Sequence, residues 1–167
     1  DNDQIKCLLS EVDFEHECSE RNACDVELLM IGAFSPLEGF MNEEDYNSVT
    51  KHNRDTKGFL FGLPIVLDSN NDHFEKGKKI LLKFKGQKLA VLEIESRWEP
   101  DKELEAQFCY GTTSLEHPAV NMIFHERGKY YIGGKIYGFE LPKREFPCQT
   151  PHEVRSSLPA NHDVVAF

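Results

Sequence analysis

Seven histidines are the first residues to weigh for chemistry: His16, His52, His73, His117, His125, His152 and His162. No two of them fall three or four residues apart, so no helix face offers a local metal-ligand pair. The five cysteines, Cys7, Cys18, Cys24, Cys109 and Cys148, form no C-x-x-C pair. Neither a zinc ribbon nor a dithiol redox site is supported, and reduced thiols in an intracellular compartment are the simplest account. Carboxylates are abundant, but Glu43-Glu44 and the pair Glu103 and Glu105 read as solvated helix faces, not as an acid/base couple. Ser35 lacks the G-x-S-x-G context of a nucleophile. The chain has no G-x-x-x-x-G-K-[ST] loop and no G-x-G-x-x-G loop. Gly111-Thr112-Thr113 reads as a helix stop, and Gly133-Gly134 lies in a strand pattern without opening a helix, so neither makes a phosphate cradle. His117 precedes Pro118 and reads as a helix cap. Trp98, Tyr110, Tyr130 and Tyr131 read as core or interface residues. Residue chemistry alone gives a soluble α+β domain that positions something else. The expected catalytic, substrate-binding and metal-ligating residues number none.

The charge balance points the same way. With 19 cationic and 29 acidic residues in 167, the chain carries −10. Such a protein is repelled by phosphate backbones unless a local patch overrides the field. The densest basic stretch, Lys76, Lys78, Lys79, Lys83, Lys85 and Lys88, is interleaved with Ile80, Leu81, Leu82 and Phe84, which suits the wet face of a hairpin. No apolar run is long enough to span a bilayer. The first residue is Asp1, so a trimmed N-terminus is expected.

The elements that must hold these residues follow from caps and periodicity. Ser19 caps a helix over residues 20–31, stopped at Gly32 by a left-handed turn. Residues 32–41 contain Pro36, which fixes its own φ, and Gly39, which permits a second bend. Phe34, Leu37, Phe40 and Met41 make this stretch a structured, buried connector between two helices. Asn42 caps the next helix, with acids in its first turn and Lys51 and His52 near its end. Residues 59–68 read as a strand that Pro64 confines to an edge or a bulge. A turn falls at Asn70-Asn71-Asp72. Residues 79–84 and 88–95 form a hairpin through Lys85-Gly86-Gln87, with Ala90, Leu92 and Ile94 turned inward. Pro100 opens a helix that Gly111 ends, and Pro118 opens another that buries Val120, Ile123 and Phe124. Residues 130–141 read as a strand with Gly133, Gly134 and Gly138 at bulges or close approaches. Four prolines then mark a linker over residues 142–163, broken by a capping box at Thr150, Pro151 and Glu153. Val164-Val165-Ala166-Phe167 reads as the first strand of a further unit.

The stretch Cys24-Asp25-Val26-Glu27-Leu28-Leu29-Met30, with residues 32–41 and Asp45-Tyr46, resembles the N-terminal domain of ATP sulfurylase (sulfate adenylyltransferase). Further blocks match in order: Leu63-Pro64-Ile65-Val66-Leu67-Asp68, Leu89-Ala90-Val91-Leu92-Glu93-Ile94-Glu95, then Trp98 with Pro100-Asp101-Lys102. Gly111-Thr112-Thr113 with His117-Pro118 fits the family's G-T-x-x-x-x-H-P pattern, and Tyr131-Ile132-Gly133-Gly134-Lys135 fits its Y-x-G-G-K/R strand. Gly62 departs from the pattern, standing where an apolar residue or proline is more usual.

The resemblance implies an α+β fold, a PUA-like mixed and mostly antiparallel pseudo-barrel with flanking helices. It implies a PUA-like domain over residues 1–142, and over 143–167 a linker, a short helix and the first strand of a truncated catalytic domain. The family's enzyme makes adenosine 5′-phosphosulfate and pyrophosphate from Mg-ATP and sulfate, using a Gln-x-Arg-Asn-Pro stretch and a His-x-x-His pair. Neither occurs in these 167 residues, so no catalytic residue carries over. The implied partners are the chain's own catalytic domain, which would bind ATP and sulfate, and further copies in a homo-oligomer, with no nucleic acid and no membrane. Cytoplasm and plastid stroma both suit such an enzyme. The alternative is a free-standing PUA-like module that binds RNA or protein without enzymatic activity.

Overall fold

Ser19 shows how local chemistry sets the first long helix. Its hydroxyl accepts the Asn22 amide at 3.1 Å, and the helix runs from Glu20 to Met30. The computed structural model describes residues 2–143, 148–161 and 163–165. In chain order the elements are α1 (Asn2–Ser10), β1 (Phe14–Glu17), α2 (Glu20–Met30), β2 (Gly39–Phe40), α3 (Glu43–His52) and β3 (Leu67–Ser69). They continue as β4 (Lys79–Phe84), β5 (Gln87–Trp98), α4 (Lys102–Tyr110), α5 (Pro118–His125), β6 (Tyr130–Gly138) and α6 (Pro151–Ser157).

The strands form one mixed, mostly antiparallel sheet in the order β1-β4-β5-β6-β2, with β3 also paired to β6. Only β1 against β4 is parallel. The tight turn Lys85-Gly86, with both φ values positive (49° and 79°), joins β4 to β5 as a two-residue hairpin requires. Two apolar clusters close the structure. One packs Ala23, Val26 and Leu29 of α2 with Ile80, Leu82, Leu92 and Ile94 of the sheet. The other gathers Met41, Tyr46, Val49, Val66, Trp98 and Tyr131 around α3.

Several expectations hold in detail. Asn42 caps α3 by accepting the Asp45 amide, and Gly111 ends α4 in the left-handed region at φ 71°. The capping box at Thr150 and Glu153 is complete. Gly133 and Gly134 are close approaches: a Cβ on Gly133 would lie 2.0 Å from the Met41 carbonyl oxygen, and one on Gly134 2.0 Å from that of Glu93.

Other expectations are corrected. The strand over residues 59–68 shrinks to Leu67–Ser69, because Asp55 and Asn53 capture the backbone ahead of it: Asp55 Oδ1 accepts the amides of Lys57 and Phe59, and the Asn53 carbonyl accepts that of Phe61. Gly39 makes no second bend. It pairs with Lys135 in β2, and a Cβ there would sit 2.0 Å from the Gly134 carbonyl oxygen. The connector is buried only at Gly39, Phe40 and Met41, while Ala33, Ser35, Pro36 and Glu38 are exposed.

Strand β5 extends to Trp98 and is buried on both faces over residues 89–92, since Leu89 and Val91 are as buried as Ala90 and Leu92. Strand β6 stops at Gly138. Elements α1 and β1 have no counterpart in the sequence reading. The polar residues Glu15, His16 and Glu17 mask β1, which pairs in parallel with β4 and is flanked by ion pairs to lysines. Lys83 pairs with Glu15 at 2.9 Å, Lys78 with Asp13 at 2.9 Å, and Lys79 with Glu11. The lysine-rich face is thus wet and also ion-paired. Val164 and Val165 carry no strand, and the rest of that expected strand, Ala166 and Phe167, lies outside the described residues.

Candidate functional site: a buried carboxylate junction

The junction of α3, α4 and β6 is built on a carboxylate that sequence reasoning placed on the surface. Asp101 caps α4 through the Leu104 amide, and the helix phase then turns Glu105 and Ala106 inward together. Glu105 is 1% exposed. Its Oε1 accepts Arg127 Nη1 at 2.9 Å. Its Oε2 accepts the Tyr46 hydroxyl at 3.0 Å and the Tyr131 hydroxyl at 2.9 Å. Arg127 also donates to the Tyr131 oxygen at 2.9 Å. Trp98 completes the surroundings, its ring 5.3 Å from that of Tyr46 and 6.0 Å from that of Tyr131. Exposed Glu103, by contrast, does sit on the solvated face.

A second carboxylate continues the network. Asp68 on β3 accepts Arg21 Nη2 of α2 at 2.8 Å and the Gly128 amide at 2.7 Å. Gly128 admits the chain here, since a Cβ would meet the Ser69 backbone at 2.6 Å. Lys102 of α4 donates to the Arg127 carbonyl at 2.9 Å. Three helices, two strands and the loop after α5 are therefore tied through two buried acids.

The electrostatics make this network inert. Burial raises the pKa of Tyr46, and the Glu105 carboxylate raises it further, so the phenol stays a donor. Burial likewise raises Tyr131, against the opposing pull of Arg127. Burial pushes the Cys109 thiol up to about 11 and the Cys18 thiol up to about 12, which leaves neither as a thiolate nucleophile near neutrality. Glu105 accepts three donors and Asp68 two, so both carboxylates are engaged within the fold.

Asp25 is the exception. It lies half-buried on α2, and burial pushes its carboxyl up to about 6 despite Arg21 and Arg127 nearby. In the unfolded chain it ionises near its ordinary value of 3.8. Stability associated with the protonated form is therefore complete below about pH 4 and lost as pH rises to about 6. Asp25→Asn is expected to stabilise the protein by about 1–2 kcal/mol at pH 8, the partial exposure of the group having reduced the full linkage value. The gain should vanish at pH 4. Urea unfolding at the two pH values measures this, and a gain of equal size at both would contradict it.

The remaining candidates resolve plainly. His117 takes the N-cap position of α5 but its side chain makes no cap hydrogen bond; it packs on the Tyr110 ring at 5.2 Å. The cap is thus positional only, and Pro118 at the first helical position sets the entry. Thr112 Oγ1 accepts the Ser114 amide at 3.1 Å, so Gly111-Thr112-Thr113 forms a turn. Among the described residues, no group of three His, Cys, Asp or Glu could hold a metal ion. A cleft beside Asp68 is lined by Ser19, Glu20, Arg21, Cys24 and Glu126. Its cation is already held by Asp68, and its field is acidic, which disfavours a polyanion.

A sheet of this order flanked by helices, with Glu105 and Asp68 engaged in hydrogen bonds inside the fold, defines the class of fold. The match of a family model described as a PUA-like domain to residues 8–141 makes the assignment: the chain belongs to the PUA-like domain family. At the level of particular proteins, it is similar to sulfate adenylyltransferases. That of Neurospora crassa is 45% identical over 125 residues, covering 71% of this chain and 22% of the relative. That of Schizosaccharomyces pombe is 39% identical over 161 residues, covering 89% and 33%. That of Candida albicans is 37% identical over 167 aligned positions, covering 88% and 32%. The chain thus spans 22–33% of the length of these curated relatives. In fold it is like a solved hexameric APS kinase from Thiobacillus denitrificans, with a TM-score of 0.68 at 22% identity over 92% of this chain and 27% of that one.

Proposed function

We propose that the chain is the N-terminal, PUA-like part of a sulfate adenylyltransferase and braces a catalytic domain carried elsewhere in the polypeptide. The observation that supports this reading is the uneven coverage: the curated relatives match most of this chain with a small share of their own length. Residues 1–142 would form the brace, and 143–167 the approach to the catalytic domain. The complete enzyme would transfer the adenylyl group of Mg-ATP to a sulfate oxygen and release pyrophosphate, in the cytoplasm or the plastid stroma. Transfer at phosphorus depends on positioning and on neutralising charge.

This chain's residues do not fit those tasks. Three of its buried acids, Glu105, Asp55 and Asp68, are already engaged by arginine, phenol and amide donors. Its part is to hold geometry, as a homo-oligomer when the enzyme is complete, without nucleic acid or membrane. Among the described residues, no helix is long and apolar enough to cross a membrane.

Calorimetric titration of the chain with Mg-ATP and with adenosine 5′-phosphosulfate tests this reading. No saturable heat is expected from either. Stoichiometric binding of either nucleotide would overturn it.

A further inference from the structure

The cleft beside Asp68 has a floor that donates and a rim that accepts. It opens where the end of β1, the start of α2, the end of β3 and the loop after α5 meet. A cavity of about 530 Å³ continues there into one of about 190 Å³, and the two share Ser19, Asp68 and Glu126. Asn22, 2% exposed, lines the inner part. The Ser19 hydroxyl donates to its Oδ1 at 2.9 Å, which leaves the amino end of the amide over. That nitrogen, Nδ2, is buried and has no hydrogen-bond partner. A buried donor left unmade is costly, so it marks a place for an acceptor.

The rim has the opposite need. Glu17, Glu20 and Glu126 stand exposed around the opening. Among the described residues none of these three carboxylates makes a hydrogen bond or an ion pair. Three ligand classes fail one demand or the other. A polyanion is repelled by the rim. A metal ion finds no group of three His, Cys, Asp or Glu among the described residues. A polyamine suits the carboxylates but carries only donors, so it offers Nδ2 nothing. An extended basic stretch of polypeptide meets both demands. Its backbone carbonyl accepts from the floor, and its lysine or arginine side chains reach the rim, alternate ones on one face.

We propose that this cleft binds an extended basic segment, with a backbone carbonyl on Asn22 Nδ2 and cationic side chains on Glu17, Glu20 and Glu126. The same chemistry serves a segment of a separate protein and a segment from elsewhere in a longer polypeptide. This inference stands apart from the adenylyl-transfer reading, since it involves no nucleotide.

Isotope-labelled chain is titrated with acetyl-Lys-Ala-Lys-amide, and the side-chain amide resonance of Asn22 is followed by NMR. A saturable downfield shift is expected, while spermidine and acetyl-Glu-Ala-Glu-amide should leave the resonance in place. Glu17→Gln with Glu126→Gln should weaken peptide binding roughly tenfold, the effect of two exposed ion pairs near the top of their range. Asn22→Asp keeps the acceptor for Ser19 and puts an acid in the first turn of α2, where the helix dipole favours it. It adds charge and removes the donor. A mere acidic patch would then hold the peptide more tightly, whereas the proposed site holds it roughly tenfold more weakly. Fluorescence anisotropy of the labelled peptide on the chain and on the longer polypeptide separates the two sources. Equal binding to both indicates a separate protein, and binding to the chain alone indicates that the longer polypeptide fills the cleft itself. No saturable shift with the basic peptide would overturn the proposal. So would an equal shift with spermidine, or tighter binding by Asn22→Asp. Calorimetric failure of the adenylyl-transfer reading would leave this outcome untouched.

Discussion

Glu105→Ala is expected to lower the unfolding free energy by about 3–5 kcal/mol, the cost of leaving a buried charge without its partner. Three donors lose their acceptor at once: Arg127 Nη1, Tyr46 Oη and Tyr131 Oη. The loss is a large share of the ~5–15 kcal/mol that holds a typical domain. Tyr131→Phe removes one hydroxyl and keeps the ring packing, so about 1–2 kcal/mol is expected. Glu103→Ala, two residues away on the exposed side of the same helix, should cost less than about 1 kcal/mol. Urea denaturation at pH 7 ranks the three. A Glu105→Ala cost no larger than that of Glu103→Ala would show that the junction contributes nothing.

Gly133→Ala is expected to cost at least about 3 kcal/mol or to prevent folding, an overpacking effect at the upper end of its range because backbone cannot swing aside. The added methyl would lie 2.0 Å from the Met41 carbonyl oxygen and 2.6 Å from the Asn42 Cα. Those atoms begin the cap of α3, so relieving the clash means moving the helix that carries Tyr46 into the junction. Gly62→Ala supplies the contrast. A Cβ there meets nothing within 4 Å, and the φ needs no left-handed conformation. Replacing it should be neutral or stabilising by up to about 1 kcal/mol, through the unfolded chain. Thermal unfolding of the two variants side by side measures the difference, and equal melting temperatures would contradict the close packing of β6 on the connector.

The helices and the central hairpin are legible in the sequence because their signals are local. Ser19, Asn42, Thr150 and Gly111 each act within four residues of themselves. What was not legible depends on distant partners. Strand β1 depends on its ladder to β4 and on Phe14 against the core, and its Glu15 meets Lys83, 68 positions away. The run 59–68 has strand-like composition, yet Asp55 holds its first amides and leaves Phe59 and Leu60 in water. Gly39 looks like a turn residue, and only the partner strand reveals that it is small for packing.

The junction was missed for the same reason. Glu105 resembles any helix-surface acid until Arg127 and two tyrosines, 22, 26 and 59 positions away, are brought to it. One signal was available. On a helical wheel Glu105 shares its face with Ala106 and Cys109, whereas Glu103 and Gln107 point away, and a lone acid on an apolar face asks for a buried cation.

A brace of this kind would act on catalysis only through position. Ordering α3, α4 and β6 fixes the platform against which a larger domain can be held, and small displacements of reacting groups cost orders of magnitude in rate. Burial holds the Cys18 and Cys109 thiols and the Tyr46 and Tyr131 phenols in their neutral forms, which suits such a platform.

Pyrophosphate release tests this division of labour most directly. The purified chain, folded by circular dichroism, is supplied with Mg-ATP and sulfate, alongside a longer polypeptide that includes the stretch bearing Gln-x-Arg-Asn-Pro. The account predicts sulfate-dependent pyrophosphate from the longer polypeptide and none above background from the chain. Sulfate-dependent turnover by the chain alone would contradict it.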